Sequence, residues 1–575
     1  MGKRSSTMIV ILVFNVLAIS LSSYSFHSSE ALGGGGGGGP PPGSGINDVV
    51  TADNGNSVYV MWAEYDDKKH DYTKWIRASH DAGRTFEKVI DLNSVLGTKN
   101  RSSFVQFTNI QMAAYGPNNL YLAWGSQDIN NSENDPSDPY YAYFMKSGDG
   151  GRTFSRPTIL DLSATEVKQM QQNNTGERGY GIEKLMVSGG LVYAIMSYSE
   201  NSANPKWGYL LRTSSDGGET FSNAVDMFSY PEIGESWIQV ATSSDSNNVY
   251  AVSTGRNSFD GNVANGNIGV LFKASYDSGK GFANTIDLNE GTNAAIFAPK
   301  IAASGKNNVY VVWSEMDPSD KSNTYAYFRA SNDAGKTFDE KIKLNIIEVN
   351  PSEIINSNFV QVAANKDSEN DNNVYVRWRN VHFSRDLTTE KDHLLIRASN
   401  DGGKKFGGPI DLTGNQTHTD DGGQPLIAVV SSGEGSSTST ITGMDIVYAA
   451  WTADTDFPLA SSKAFISRSI DGGQSFDTIQ SLPNQVNDKN EALNMRISAS
   501  AKNVYLAWDS GSPNVHGLFF AASNDAGNSF GDVMNLVDLP EQQVKKEDIN
   551  SMFMIGIGAA IAGIVAFITL RKRNK

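Results

Sequence analysis

Three observations predict an all-β chain made of repeated four-stranded units. A near-identical octamer, SNDAGKTF at Ser331–Phe338, occurs eight times. Each copy closes an apolar run rich in Val, Ile, Tyr and Phe. Between copies the chain is punctuated by Gly, Asn and Asp, and only its two ends read as helical. Four-stranded units repeated in series are the pattern of a β-propeller, and eight copies predict eight blades, in one ring or in two smaller propellers, with the lack of a long linker between units favouring one ring.

Taken in chain order, residues 1–30 read as a secretory signal peptide. Lys3-Arg4 precedes the apolar run Met8–Leu21, which is followed by small residues. Residues 31–45 form a Gly- and Pro-rich linker. Residues 46–537 carry the repeats, and 538–551 form a polar juxtamembrane stretch. Residues 552–570 read as a transmembrane helix, because Phe553–Leu570 holds eighteen uncharged residues. The basic tail 571–575 places the C-terminus inside and the repeats outside the cell. With 63 acidic against 47 basic residues, net charge -16, the chain lacks the concentrated positive charge a nucleic-acid surface needs. It has no cysteine, so disulfides, thiolate metal sites and thiol nucleophiles are excluded.

The octamers start at Ser79, Ser147, Ser214, Ser275, Ser331, Ser399, Ser469 and Ser523, 54 to 70 residues apart. Each unit reads as strands A to D. In the fifth, PKIAAS leads through the turn GKNN to VYVVW, then YAYFRAS, the octamer and KIKLN. The octamer therefore joins strands C and D. Its Asp can accept backbone amides of its own turn and its Gly, Gly335 in the fifth unit, can take positive φ. Its Ser and Thr can bond across the hairpin, and its Phe is expected to start strand D. A turn is needed eight times and a catalytic group is not, so Asp81, Asp149, Asp216, Asp277, Asp333, Asp401, Asp471 and Asp525 are read as structural.

Ser-x-Asp-x-Gly-x-Thr-aromatic resembles the Asp-box, or bacterial neuraminidase repeat, over about Ile46 to Leu536. The resemblance implies a propeller like that of sialidases. It is less specific for activity, because the same box marks non-catalytic propellers and other glycosidases. Typical sialidases have six blades, and this chain has eight complete units.

Strands alternate in direction, so the octamer turns and most short A–B turns share one face. Long loops such as 163–181 and 314–324 share the other, where binding is expected. Aligned A strands place Gln111, Lys184, Gln239, Lys300, Gln361 and Arg496 at one position, predicted to line the central channel. Three of the six are cationic, which suits an anionic or carboxylate-bearing ligand or else solvates the channel and pairs with nearby acids. A sialidase-like site implies three arginines, a tyrosine nucleophile with a glutamate partner, and an acid/base aspartate. The family's aromatic-Arg-Ile-Pro motif is missing. The nearest match is Met495–Ser498, with Arg496 and Ile497 in place. Further candidates of the right type are Arg256, Arg379, Arg101 and Arg178, then Tyr180, Tyr198 and Tyr230, with Glu232 or Glu235.

Arg77, Arg212, Arg329 and Arg397 recur two residues before the octamer and read as repeat consensus. Trp62, Trp124, Trp313, Trp378, Trp451 and Trp508 end strand B and read as blade core. The stretch 367–373 reads as a solvated turn rather than a calcium loop. No histidine pair has zinc-ligand spacing, and no metal or cofactor is expected. Sequons at Asn100, Asn130, Asn173 and Asn415 fit an exported chain. The sequence thus predicts a membrane-anchored surface module that binds a glycan or a cell-surface protein. The alternatives are an exo-acting sialidase-like hydrolase and a purely structural envelope protein.

Overall fold

The computed structural model describes residues 44–52, 55–66, 71–95, 108–127, 140–160, 178–200, 207–229, 238–243, 247–257, 267–290, 294, 296–345, 353–364, 372–385, 390–413, 418–419, 426–430, 445–454, 462–477, 480–482, 492–500, 502–510 and 517–537. The signal peptide, transmembrane and tail assignments and the linker to residue 43 lie outside the described residues, while Ser44 and Gly45, read as the linker's end, belong to the first strand.

The described residues form seven antiparallel-strand sheets that follow the repeat. Unit 1 comprises Ser44–Thr51, Val58–Asp66, Asp71–Ser79 and Ile90–Asp91, followed by a one-turn helix, Leu92–Val95. Unit 2 comprises Thr108–Tyr115, Asn119–Gln127, Tyr140–Ser147 and Thr158–Ile159. Unit 3 comprises Arg178–Ser188, Leu191–Glu200, Trp207–Ser214 and Val225–Ser229. Unit 4 comprises Gln239–Thr242, Val249–Asn257, Asn267–Ser275 and Ile286–Asp287. Units 5 and 6 share one sheet. Their strands are Ile296–Ser304, Asn308–Met316, Thr324–Ser331 and Ile342–Lys343, then Glu353–Ala364, Val374–Ser384, Glu390–Ser399 and Ile410–Asp411. A single parallel bridge, Thr324 to Asn356, joins the two. In unit 7 two short segments, His418–Thr419 and Leu426–Val430, both pair with Ile446–Asp454, which is followed by Ser462–Ser469 and Gln480–Ser481. Unit 8 comprises Ala492–Ser500, Asn503–Ser510, Leu518–Ser523 and Met534–Asn535.

The core lies between units rather than within them. Eight buried apolar clusters each span two neighbouring units, and one of them joins Tyr505, Leu518 and Phe520 of unit 8 to Val49, Val58 and Trp62 of unit 1. Tyr505 Oη also donates to Gly55 O at 2.6 Å. This is β-propeller packing: a sheet is apolar on both faces because each face meets a neighbouring blade. The six strand-B tryptophans are at most 1% exposed, in agreement with their reading as core.

The octamer turn is closed by its own side chains. In all eight copies the Ser Oγ donates to the Asp at 2.6–2.8 Å and accepts the N–H of the Gly two residues after that Asp. Thr337 donates both its N–H and its hydroxyl to Asp333. Ser and Thr thus bond to the turn Asp rather than across the hairpin. Burial alone would raise the Asp333 pKa, but these donors outweigh it and hold the carboxyl below its ordinary range. Gly335 has φ +78°, and a Cβ there would lie 2.5 Å from Phe272 of unit 4. Phe338 does not start strand D, which begins at Ile342. It meets the same Phe272 edge-on at 4.9 Å. Phe86, Phe221 and Phe406 reach back to Phe520, Phe144 and Phe328 of the preceding unit in the same way. The octamer is therefore a turn and a blade-to-blade contact at once. Arg329 and Arg397 add to it, donating to Leu288 O and Leu344 O of the preceding unit.

Unit 4 carries Gly281 where Thr337 stands in unit 5. A Cβ at Gly281 would meet nothing nearer than Asp277 Oδ2 at 3.8 Å. Gly281→Thr supplies the missing hydroxyl donor and restricts the unfolded chain. It is expected to stabilise the protein by about 0.5–1.5 kcal/mol, read as a higher urea midpoint.

Candidate functional site

At the inner edge of the ring, A strands of neighbouring units adjoin one another, including unit 8 with unit 1. Register fixes one equivalent position, opposite the residue that precedes the strand-B tryptophan in six units and opposite Ile195 and Val252 in units 3 and 4, where Met196 and Ser253 stand in the tryptophan's place. It is held by Gln111, Lys184, Gln239, Lys300, Gln361 and Arg496, all half-buried. Two occupants were missed in the sequence. Unit 1 supplies Asp48, opposite Met61, and unit 7 supplies Leu426, opposite Ala450. The signal for Asp48 was its place in the short strand INDVVT, one residue before a Val-Val pair.

A β-bulge immediately precedes this position in units 1, 2, 3, 5, 6 and 8. In three of them the bulge holds a left-handed residue, Ala298, Phe359 or Asn494. Bulges twist a strand and re-aim the next side chain. Here that matters because register alone would aim these polar groups at the following unit.

The position is electrostatically two-sided. On one side Asp48 feels the opposite charges of Arg496 from unit 8 and Lys184 from unit 3, and accepts the Val49 N–H at 2.8 Å and the Met112 N–H. Desolvation still dominates and pushes the Asp48 pKa up to about 6. Arg496 also donates to Met495 O at 3.0 Å. On the other side Gln239, Lys300 and Gln361 come from three consecutive units. Their side chains make no hydrogen bond or ion pair among the described residues. Desolvation lowers the Lys300 pKa, and no carboxylate among the described residues offsets it.

Asp48 yields a pH test with a definite sign. Its folded pKa is raised, so between about pH 4 and 6 the folded state holds a proton that the unfolded state has lost. Stability from this group is present below pH 4 and is lost as pH rises to 6. Asp48→Asn is expected to remove that slope and to stabilise the protein at pH 7 by about 1–3 kcal/mol, measured by denaturant unfolding across pH.

Of the catalytic candidates, the described side chains are Arg496, Arg379, Tyr180 and Tyr198. Arg379 is buried and its guanidinium is held by Asp392 at 2.7 Å. Tyr180 is buried in the cluster between units 2 and 3. Tyr198 is half-buried beside it. Arg256 and Arg178 lie on described strands whose side chains at those positions are outside the described residues. Arg101, Tyr230, Glu232 and Glu235 also lie outside them, as do residues 367–371 of the stretch 367–373. No group of three or more His, Asp or Glu side chains is placed to hold a metal among the described residues.

No protein-family profile and no curated protein matches the sequence. Solved structures are similar at low identity. A sialidase from Streptococcus pneumoniae is 11% identical, covering 84% of each chain, with a TM-score of 0.33. The leech intramolecular trans-sialidase is 11% identical over 85% of this chain and 92% of its own, TM-score 0.35. Trypanosoma rangeli sialidase is 12% identical over 82% and 80%, TM-score 0.32. Likenesses this weak say nothing about activity and transfer no catalytic residue to this chain.

Proposed function

We propose that the chain is a membrane-anchored, extracellular, eight-bladed β-propeller that binds a glycan or a surface protein at the inner ring. The observation that carries the reading is the set Gln239, Lys300 and Gln361 on adjacent A strands, unpartnered among the described residues. Half-buried polar groups without partners among the described residues offer hydrogen bonds and one positive charge to a ligand. The blade count is supported by eight phased octamers and by the seam between units 8 and 1. Anchoring is supported by the apolar run 553–570 and its basic flank.

The alternative, an exo-acting sialidase-like hydrolase, rests on the Asp-box resemblance. It is disfavoured by the structural engagement of Arg379 and Tyr180. The full chain in detergent is to be titrated with a panel of neutral, uronic-acid and sialylated glycans and assayed with a fluorogenic sialoside. Saturable binding without turnover, weakened about tenfold or more by Lys300→Ala, supports the binding reading. Sialoside turnover that is lost in Arg496→Ala overturns it in favour of the hydrolase. Neither binding nor turnover leaves a structural envelope protein.

A further inference from the structure

The seam between units 5 and 6 differs from the others. Besides the Thr324–Asn356 bridge, it carries a buried hydrogen-bond chain whose polarity is determined at every link. Asn345 of unit 5 accepts the Ala326 N–H with its Oδ1 at 2.9 Å, which fixes its amide orientation. Its Nδ2 therefore faces unit 6. There it donates to Ser357 Oγ at 2.9 Å and to Asn380 Oδ1 at 3.1 Å. Ser357 Oγ donates to the same Asn380 Oδ1 at 2.7 Å. With Oδ1 so engaged, Asn380 presents its Nδ2 to His382 Nε2 at 2.8 Å. His382 Nε2 must accept, so the ring proton sits on Nδ1 and is donated to Glu353 Oε2 at 3.2 Å.

We infer that this chain is a proton-sensitive latch: protonating His382 breaks the Asn345–Asn380 bond that ties unit 5 to unit 6. A proton on Nε2 turns an acceptor into a donor facing the Asn380 NH2 group. If Asn380 keeps its orientation, two donors oppose each other and the ring is expelled. If its amide turns over to accept from Nε2, its Nδ2 then opposes Asn345 Nδ2. Asn345 cannot compensate, because its Oδ1 is held by Ala326. Expulsion of the ring would leave Asn345–Asn380 intact and strand the Asn380 NH2, whereas the turned-over amide keeps His382 seated between Asn380 and Glu353; the latch takes the second response, which costs the inter-unit bond.

The charged groups around His382 come from every strand of unit 6. Glu353 lies on strand A and Lys391 opposite His382 on strand C. His393, also on strand C, sits edge-on with its ring 5.5 Å away. His393 Nδ1 bonds to Asp411 of strand D at 2.7 Å, which raises the His393 pKa against the opposing effect of burial. The Arg379–Asp392 pair occupies the neighbouring positions of the same two strands, and Asp320–Arg385 bridges the units at the same end. The inference does not depend on the binding reading.

The test is hydrogen exchange of the full chain at pH 7.5 and 5.0, corrected for intrinsic exchange and resolved by peptide. In the wild type, amides of 353–364 and 324–331 are expected to lose about tenfold in protection at pH 5.0, the loss of one net hydrogen bond. Seams elsewhere are expected to hold. His382→Gln keeps both links, since its carbonyl accepts from Asn380 and its NH2 donates to Glu353, but it cannot be protonated. It is expected to keep the seam protected at both pH values, and His393→Gln to behave as the wild type. Unchanged wild-type protection at pH 5.0, or the same loss in His382→Gln, overturns the inference. Abolition of the effect by His393→Gln alone would do so as well.

Discussion

Replacing Asp392 with alanine is expected to cost about 3–5 kcal/mol, because it strands a buried positive charge. The Arg379 and Asp392 side chains are 7% and 0% exposed, and Arg379 donates through both Nε and Nη2 to Asp392 Oδ2 at 2.7 Å. They lie on adjacent strands B and C of unit 6, next to positions paired in register. A guanidinium cannot shed its proton to escape the cost of burial. The denaturant midpoint of Asp392→Ala should therefore fall sharply. The double change Arg379→Leu with Asp392→Leu should recover most of the loss, since an apolar pair also satisfies a buried site. A single substitution within 1 kcal/mol of the wild type would mean that water reaches the pair.

Trp313→Ala is the second large effect, again about 3–5 kcal/mol. Trp313 is wholly buried in the cluster between units 4 and 5 and stacks on Tyr327 with ring centroids 6.3 Å apart. Its Nε1 donates to Glu315 Oε2 at 2.9 Å, and Lys341 Nζ holds the same carboxylate at 3.1 Å. Alanine opens a cavity at a seam and removes one of the donors to a buried carboxylate. Trp313→Phe keeps most of the volume and loses only the N–H. It should cost about 1–2 kcal/mol, and the difference between the two variants separates packing from hydrogen bonding. Urea unfolding of both variants measures it.

Much of the fold was legible along the chain. The Ser–Asp–Gly turn closes through bonds spanning at most four residues, so its chemistry is contained in the octamer itself. The tryptophans were legible as core because they recur in phase with an apolar strand. The candidate site was legible only in part. Six of its eight positions could be aligned, but Asp48 escaped because unit 1 replaces a long polar side chain with a short acidic one. Its neighbour Arg496 is supplied from the far end of the chain. Arg379 looked open to a ligand, since nothing nearby in sequence announced Asp392 as its buried partner.

By itself the sequence determined the repeat, the strand order within each unit, and the turn that joins strands C and D. These follow from backbone preference and short-range hydrogen bonds, which act before distant segments meet. Only the tertiary structure decided where each face of a blade is buried. Phe338 packs on Phe272 of the preceding unit rather than within its own, and unit 8 closes on unit 1. It also decided which polar groups are spent: Asp48 near Arg496 and Lys184, Arg379 on Asp392, Asn345 on Asn380. It left Gln239, Lys300 and Gln361 unpartnered among the described residues. The physical reason is that desolvation and charge pairing depend on distances across seams, and chain order does not encode those distances until the ring has formed.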